Sequence, residues 1–299
     1  MNAARRNLIL AGSLVALILL DLMIAPSHRP QRVVGPLLGN LDVQQAVRIE
    51  LTGQENQHLV LQREEQGWVL PQSLSYPARS ELVRALLSSL ASLSTLDLVS
   101  SDRDRQGEYG VLAGTHIRIL DGEGRVLGEL LQGNLAPDGQ ATFGRLPAED
   151  KTYRMSGLLP LRLDAEYYLD ARLLSFEPAL VSAILLNTAK GTQRLERDPA
   201  RVKVWRRGSD GQPVVAARVE RLLTSLRATF LAEVLRTGPT QGLNSFHVEL
   251  EMSQGKPIQF SLGEANEAGL VPAMVGGSAF TVGISQASAQ ALRAAAQNF

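Results

Sequence analysis

The sequence contains no cysteine among its 299 residues. Structural disulfides, thiolate metal sites and a cysteine nucleophile are therefore excluded. An oxidising compartment is compatible with this absence but is not required by it. The formal net charge is zero. A balanced charge argues against broad nucleic-acid binding, because that function normally needs a basic surface.

Motifs that mark common enzyme chemistry are also absent from the sequence. The chain has neither a P-loop nor a Gly-rich dinucleotide fingerprint, so we expect no nucleotide hydrolysis by it. Its four histidines include no His-x-x-x-His pair, so no zinc site is predicted at His28, His58, His116 or His247. We predict no catalytic, cofactor-binding or metal-ligating residues, no cofactor and no enzymatic activity.

Three weaker matches to functional patterns have simpler structural explanations. Ser253-Gln254-Gly255-Lys256 fits Ser-x-x-Lys, but it lies in a predicted hairpin turn instead of opening a helix. Glu249 and Glu251 alternate with apolar residues, which favours a solvated strand face over an acid/base pair. A basic cluster of Arg201, Lys203, Arg206 and Arg207 flanks Trp205. The alternating Val202 and Val204 favour an amphipathic strand with its charges in water over a nucleic-acid or anionic-lipid patch.

The N-terminus carries a long apolar run from Leu8 to Ala25, preceded by Arg5 and Arg6. As a helix this run would be about 27 Å long, which is close to the hydrocarbon thickness of a bilayer. A cleaved signal peptide is the competing interpretation. Cleavage after Ala25 would place the bulky Met23 where a small residue is required, so we predict an uncleaved anchor.

Positive charges are nearly balanced around this span, because Arg29 and Arg32 follow it. The short tail with paired arginines nevertheless favours a cytoplasmic N-terminus. We therefore predict a single-pass inner-membrane protein with the bulk of the chain in the periplasm. Residues 1–25 would form the cytoplasmic tail and the transmembrane anchor. Residues 26–40, rich in proline, glycine and arginine, are interpreted as a tether.

One pattern occurs in both halves of the remaining chain. From Leu82 to Leu90, and again from Arg218 to Leu226, Val, Leu, Leu, Ser and Leu follow in the same order and spacing. Apolar residues at i, i+3, i+4 and i+7 predict one face of an amphipathic helix. Each helix follows two predicted strands and a tryptophan. Each precedes a predicted strand pair, a further strand and a short helix.

We interpret this pattern as a tandem duplication of one α+β unit. The predicted fold class is α+β, with a single N-terminal transmembrane helix followed by two similar units at 41–170 and 171–299. Each unit would be a mostly antiparallel sheet with one long amphipathic helix and a short closing helix. Predicted core residues are the helix leucines and the tryptophans: Leu86, Leu87, Leu222, Leu223, Trp68 and Trp205.

Several short motifs resemble the domain of unknown function 4340 family. They are Trp68, Pro77-Ala78, the helix from Leu82, Tyr109-Gly110-Val111 and the junction from Leu169 to Phe176. The resemblance covers about residues 41 to 299. The sequence departs from the family pattern at Arg79, where aspartate is common, and in the residues after Tyr109-Gly110. It also lacks the arginine usual between Leu169 and Asp170.

This resemblance implies a membrane-anchored protein similar to the auxiliary subunits encoded with ABC transporters, including the gliding-motility type. The family has no agreed catalytic residues, so none is carried over. We expect a non-catalytic periplasmic scaffold or accessory subunit of an ABC-type transport or envelope complex. Its expected partners are ABC permease and ATPase subunits, and no nucleic acid. The alternative is a periplasmic carrier module that binds a lipid or a glycan.

Overall fold

In the computed structural model of the chain, the described residues are 31–55, 57–156, 161–188, 191–297 and 299. Strands dominate their secondary structure. In chain order the strands are β1 (Gln31–Pro36), β2 (Arg48–Thr52), β3 (His58–Glu64), β4 (Gly67–Leu70), β5 (Tyr76–Pro77), β6 (Ser94–Ser100), β7 (Thr115–Leu120), β8 (Val126–Leu135), β9 (Thr142–Arg145), β10 (Thr152–Ser156), β11 (Val181–Thr188), β12 (Gly191–Arg197), β13 (Trp205–Arg207), β14 (Pro213–Val214), β15 (Glu233–Thr237), β16 (Phe246–Met252), β17 (Ile258–Leu262), β18 (Leu270–Val275) and β19 (Phe280–Ser285).

Helices are few in the described part of the chain. They are α1 (Ser80–Ala91), α2 (Ala165–Tyr168), α3 (Ala216–Arg227) and α4 (Gln286–Ala296), with short 3₁₀ turns at Pro71–Ser73, Arg103–Arg105 and Pro178–Leu180. None of the helices among the described residues is long and apolar enough to cross a membrane. The predicted span from Leu8 to Ala25 lies outside those residues.

The strands form two antiparallel sheets. The first has ten strands in the order β1-β6-β10-β9-β8-β7-β2-β3-β4-β5, and the second has nine in the order β14-β13-β12-β11-β16-β17-β18-β19-β15. When β2 to β10 are matched in turn with β11 to β19, the two orders coincide. The first sheet has β1 as an additional strand, which pairs with β6. This strand lies in the stretch predicted as a tether.

The predicted α+β class is wrong, because the described chain is mostly antiparallel sheet. Nineteen strands pair in antiparallel ladders, whereas four helices make up a minor part of the described fold. The predicted short closing helix also differs between the halves. In the first it is the four-residue α2, and in the second it is the eleven-residue α4.

The described chain divides into two compact units. The described parts of residues 1–58 and 84–163 form the first unit, and those of 59–83 and 164–299 form the second. In the first unit, Ile49 and Leu51 of β2 are fully buried, as are Ile117 and Ile119 of β7. This spacing of two residues is the side-chain period of a strand, so one face of these strands forms the core.

The core of the second unit lies between its sheet and two helices. Phe246, Val248 and Leu250 of β16 are buried, while Glu249 between them is only half-buried. The helices α3 and α4 pack against each other. The α4 helix begins where the Ser285 hydroxyl accepts the Ser288 N–H at 3.2 Å, which caps its first turn. Buried helix residues are Val219, Leu222, Leu223, Leu226, Ala289, Leu292, Ala295 and Ala296.

The predicted helix core residues are buried to different extents. Leu222 and Leu223 of α3 are buried, and so is Leu87 of α1. Leu86, in contrast, is half-buried, and the inner face of α1 is formed by Val83, Leu87 and Leu90. The tryptophans differ in the same way, because Trp205 is 3% exposed whereas Trp68 is half-buried.

Candidate functional site

The junction segment, residues 168–173, runs between two other backbone segments of the second unit. On one side, the Asp170 N–H donates to Pro77 O at 3.0 Å. On the other side, the Leu231 N–H donates to Ala171 O at 2.8 Å. The junction segment therefore joins pieces of chain that are far apart in sequence, and a cleft opens along it.

This junction cleft has a volume of about 700 Å³ and a lining with charges of both signs. Its charged residues are Arg79, Glu81, Glu166, Asp170 and Arg172. None of them forms a salt bridge with another described residue. The exposed ring of Phe230, with 49% of its surface accessible, also lines the cleft.

Arg79 is held in place by Tyr167. The Arg79 Nη2 donates to the backbone oxygen of Tyr167, and Arg79 Cζ lies 5.5 Å from the centre of the Tyr167 ring. A guanidinium over an aromatic face is a favourable electrostatic contact. Arg79 Nε is buried and has no hydrogen-bond partner among the described residues. The guanidinium therefore has a fixed position and a donor that no described residue uses.

Two tyrosines of this region are buried. Tyr168 is the first residue of the junction segment, and Tyr76 precedes Pro77, whose oxygen accepts the Asp170 N–H. Burial, assisted by the charge of Asp170, raises the pKa of Tyr76 to about 12. Burial, with smaller effects of Tyr167 and Asp164, raises the pKa of Tyr168 to about 12. Both phenols therefore stay protonated at neutral pH, and neither supplies a negative charge to the cleft.

The groups in the junction cleft suit recognition of a polypeptide. Its two guanidiniums can each donate several hydrogen bonds to carboxylates or carbonyl oxygens of a partner. Its three carboxylates accept from basic or amide groups, and Phe230 offers an exposed apolar ring. Arginine and aromatic residues are common anchors in protein–protein interfaces. Among the described residues, no group of three or more His, Asp or Glu is arranged to hold a metal ion.

The three histidines in the described part of the chain do not come together in one site. His116 Nε2 lies 2.7 Å from Glu129 Oε1 on the first sheet, and His58 and His247 each contact a hydroxyl group. His28 lies outside the described residues.

The two glutamates of β16 belong to the polar face of the second sheet. Glu251 accepts a hydrogen bond from Arg194 Nη2 at 2.8 Å, and Glu249 accepts one from Gln259 Nε2 at 3.3 Å. The Arg194 contact lowers the pKa of Glu251 despite the opposing effect of partial burial. The Ser-x-x-Lys match occupies the turn between β16 and β17.

Two of the four basic residues around Trp205 form ion pairs. Arg206 contacts Asp198 at 3.3 Å, and Arg207 contacts Asp210 at 3.0 Å. Lys203 lines a separate cavity of about 450 Å³ beside Trp205 and α3.

The Tyr109-Gly110 motif has a structural role in the first unit. The Asn134 N–H donates to Tyr109 O at 2.9 Å, which holds the loop against the end of β8. The Tyr109 ring meets Phe143 edge-on, with 4.9 Å between ring centres. Gly110 has a φ of +70°, a conformation that glycine adopts without strain.

Sequence reasoning did not identify the junction cleft. The sequence shows Pro77-Ala78 and Leu169-Asp170 as separate motifs, and the structure brings these two pairs together. In the sequence, Arg79 is only a departure from a family pattern. No sequence pattern marks Phe230 as part of a site, because its place beside the junction segment comes from contacts between distant parts of the chain.

Comparison with known proteins relates the chain to a protein family. The model of a family described as a domain of unknown function (DUF4340) matches residues 68–245. Comparison with curated proteins and with solved structures gives no match for this chain. The matched residues make up more than half of the sequence and include Trp68, Pro77-Ala78, Tyr109-Gly110 and Leu169-Asp170. The chain therefore belongs to the DUF4340 family.

Proposed function

We propose that this protein is a non-catalytic, membrane-anchored accessory subunit of an ABC-type transport or envelope complex. The bulk of the chain would lie on the periplasmic side of the inner membrane. The resemblance of DUF4340 proteins to auxiliary subunits of ABC transporters supports this function. The apolar run from Leu8 to Ala25 and the arginine pair before it support the anchor and its orientation.

The junction cleft is the observation that carries the proposal. It presents charges of both signs that have no ion-pair partner among the described residues, next to the exposed Phe230. An interface of opposite charges guides a partner into one orientation and excludes wrong partners. An exposed aromatic ring beside such charges adds apolar area that becomes buried on binding. These are the properties of a surface that binds another protein.

The test is purification of the full chain in mild detergent, followed by mass spectrometry of the proteins and lipids in the eluate. We expect ABC permease and ATPase subunits to co-purify in reproducible amounts. An eluate that contains lipid or glycan but no protein partner would contradict the proposal.

That outcome would favour the alternative function, a periplasmic carrier of a lipid or a glycan. The cavity beside Trp205 is the observation that favours this second candidate. Its volume of about 450 Å³ falls in the range of small-molecule sites, and Lys203 and Thr224 add polar groups to a partly apolar lining.

A further inference from the structure

The second sheet has two edge strands, and they differ in how well they could accept a further strand. The edge strand β14 has two residues and begins with Pro213, which has no N–H to donate. The other edge strand, β15, has five residues and pairs on one side with β19. No described strand pairs with its other side. An edge of this kind presents unpaired N–H and C=O groups.

The first sheet shows what occupies the corresponding edge there. By strand order β6 corresponds to β15, and β6 lies between β10 and the additional strand β1. The pairing of β1 with β6 is antiparallel and places Gln31 opposite Leu98. Register shifts interrupt the β6–β10 ladder in two places, yet β6 still binds β1. The single shift in the β15–β19 ladder, between Val234 and Arg236, is therefore no obstacle to strand addition.

The backbone just before β15 has a neighbour on each side. The Leu231 N–H donates to Ala171 O at 2.8 Å, and the next N–H, of Ala232, donates to Gly283 O in β19 at 2.8 Å. On the β19 side the pairing continues along β15. On the other side it stops at the junction segment. The outer edge of β15 therefore begins where that segment leaves the strand.

We propose that the outer edge of β15 binds an extended segment of a partner polypeptide as an antiparallel strand. Val234 and Leu235 are half-buried and would meet apolar side chains at the centre of that segment. Glu233 and Arg236 are exposed near the two ends of β15. In an antiparallel arrangement, the segment would carry a basic residue near its carboxyl end, opposite Glu233. It would carry an acidic residue near its amino end, opposite Arg236.

The probe is a short synthetic peptide of alternating valine and threonine, with glutamate near its amino end and lysine near its carboxyl end. The matched control peptide has the two charges exchanged and the same composition. Binding to the full chain in mild detergent is followed by fluorescence anisotropy and by amide hydrogen exchange. We expect the first peptide to bind better and to slow exchange of amides in β15. Amides in β14 should be unaffected.

A double variant, Glu233→Lys with Arg236→Glu, tests the assigned direction without touching the core. Both residues are exposed, so the fold should be kept. We expect the variant to bind the first peptide about threefold or more weakly than the parent does and to prefer the charge-exchanged peptide. A melting temperature equal to that of the parent confirms that the variant is folded.

Unchanged exchange in β15 at the highest peptide concentration would overturn the proposal, as would equal binding of both peptides by parent and variant. This surface is defined by the strand edge alone and goes beyond the function proposed above. If the peptides bind as expected and no ABC subunit co-purifies, strand addition stands and the proposed complex fails. If ABC subunits co-purify and the peptides do not bind, the proposed complex stands and strand addition fails.

Discussion

At the scale of single residues, Glu50 is the centre of an ion-pair network on the polar face of the first sheet. It accepts hydrogen bonds from Arg48 Nε at 2.7 Å and from Arg118 Nη1 at 3.0 Å. Burial alone would raise its pKa. The Arg48 hydrogen bond and the charges of Arg48 and Arg118 outweigh burial and hold the pKa of Glu50 below its ordinary value of 4.5.

We expect Glu50→Gln to lower the free energy of unfolding at pH 7 by about 0.5–1 kcal/mol. Because the pKa is lower in the folded state, the stabilisation by the carboxylate is present above the unfolded pKa. It is lost as the pH falls through the folded pKa. The free energies of unfolding of parent and variant, measured in urea, should therefore differ at pH 7. They should converge in acid below pH 4.5. A stability difference that is the same at both pH values would contradict a stabilising role for the ionised Glu50 carboxylate.

A second residue-scale prediction concerns Gly133 of β8. A Cβ atom there would clash with the carbonyl oxygen of Tyr109 and the side chain of Val111. The Tyr109-Gly110 loop therefore packs directly against the backbone of Gly133. We expect Gly133→Ala to destabilise the protein by about 1–3 kcal/mol, the usual cost of overpacking. Gly122→Ala is the control, because a Cβ there has ordinary contacts only. Equal melting temperatures for the two variants would show that the motif has room to shift.

At the scale of secondary-structure elements, the inner faces of α1 and α3 should be important for stability. We expect Leu87→Ala and Leu222→Ala each to cost about 2–5 kcal/mol, because each leaves a cavity in a buried site. Leu86→Ala is a matched control on α1 and should cost less, since Leu86 is half-buried. Chemical unfolding of all three variants provides the comparison. If the Leu87 and Leu222 variants unfold like the parent but lose partner binding, the leucine faces are docking surfaces instead.

The elements also show how much of the fold could be predicted from sequence. The alternation around Glu249 and Glu251 predicts a strand where β16 lies, and the helical period predicts α1 and α3, because these patterns are local. The fold class could not be predicted from such patterns. Strands as short as β5 and β14, with two residues each, have no recognisable period. β1 forms in a stretch rich in proline and glycine because β6 supplies its hydrogen bonds.

The junction cleft escaped prediction for the same reason. Its walls come from residues around Arg79, Asp170 and Phe230, which lie far apart in sequence. Local patterns carry no information on which distant segments meet. The motifs at Pro77-Ala78 and Leu169-Asp170 marked two of the three walls, but only as isolated matches.

At the scale of the whole molecule, the predicted topology can be tested with a reporter that is active only outside the cytoplasm. We expect activity when the reporter is fused after Phe299, because the arginine pair before Leu8 favours a cytoplasmic N-terminus. The same reporter fused to a chain without residues 1–25 is the control and should be inactive. An inactive full-length fusion that is expressed normally would contradict the periplasmic location.

The central claim is that the junction cleft binds protein subunits of an ABC-type complex. The most direct measurement is the amount of permease and ATPase subunit that co-purifies with Arg172→Glu, compared with Lys256→Glu. Both residues are exposed and both substitutions reverse one charge, but only Arg172 lines the cleft. Because reversing a charge at an interface typically costs several kcal/mol, we predict a loss of about tenfold or more for Arg172→Glu and no loss for Lys256→Glu. Equal recovery of the subunits with both variants, or their absence from the parent eluate, would contradict the account.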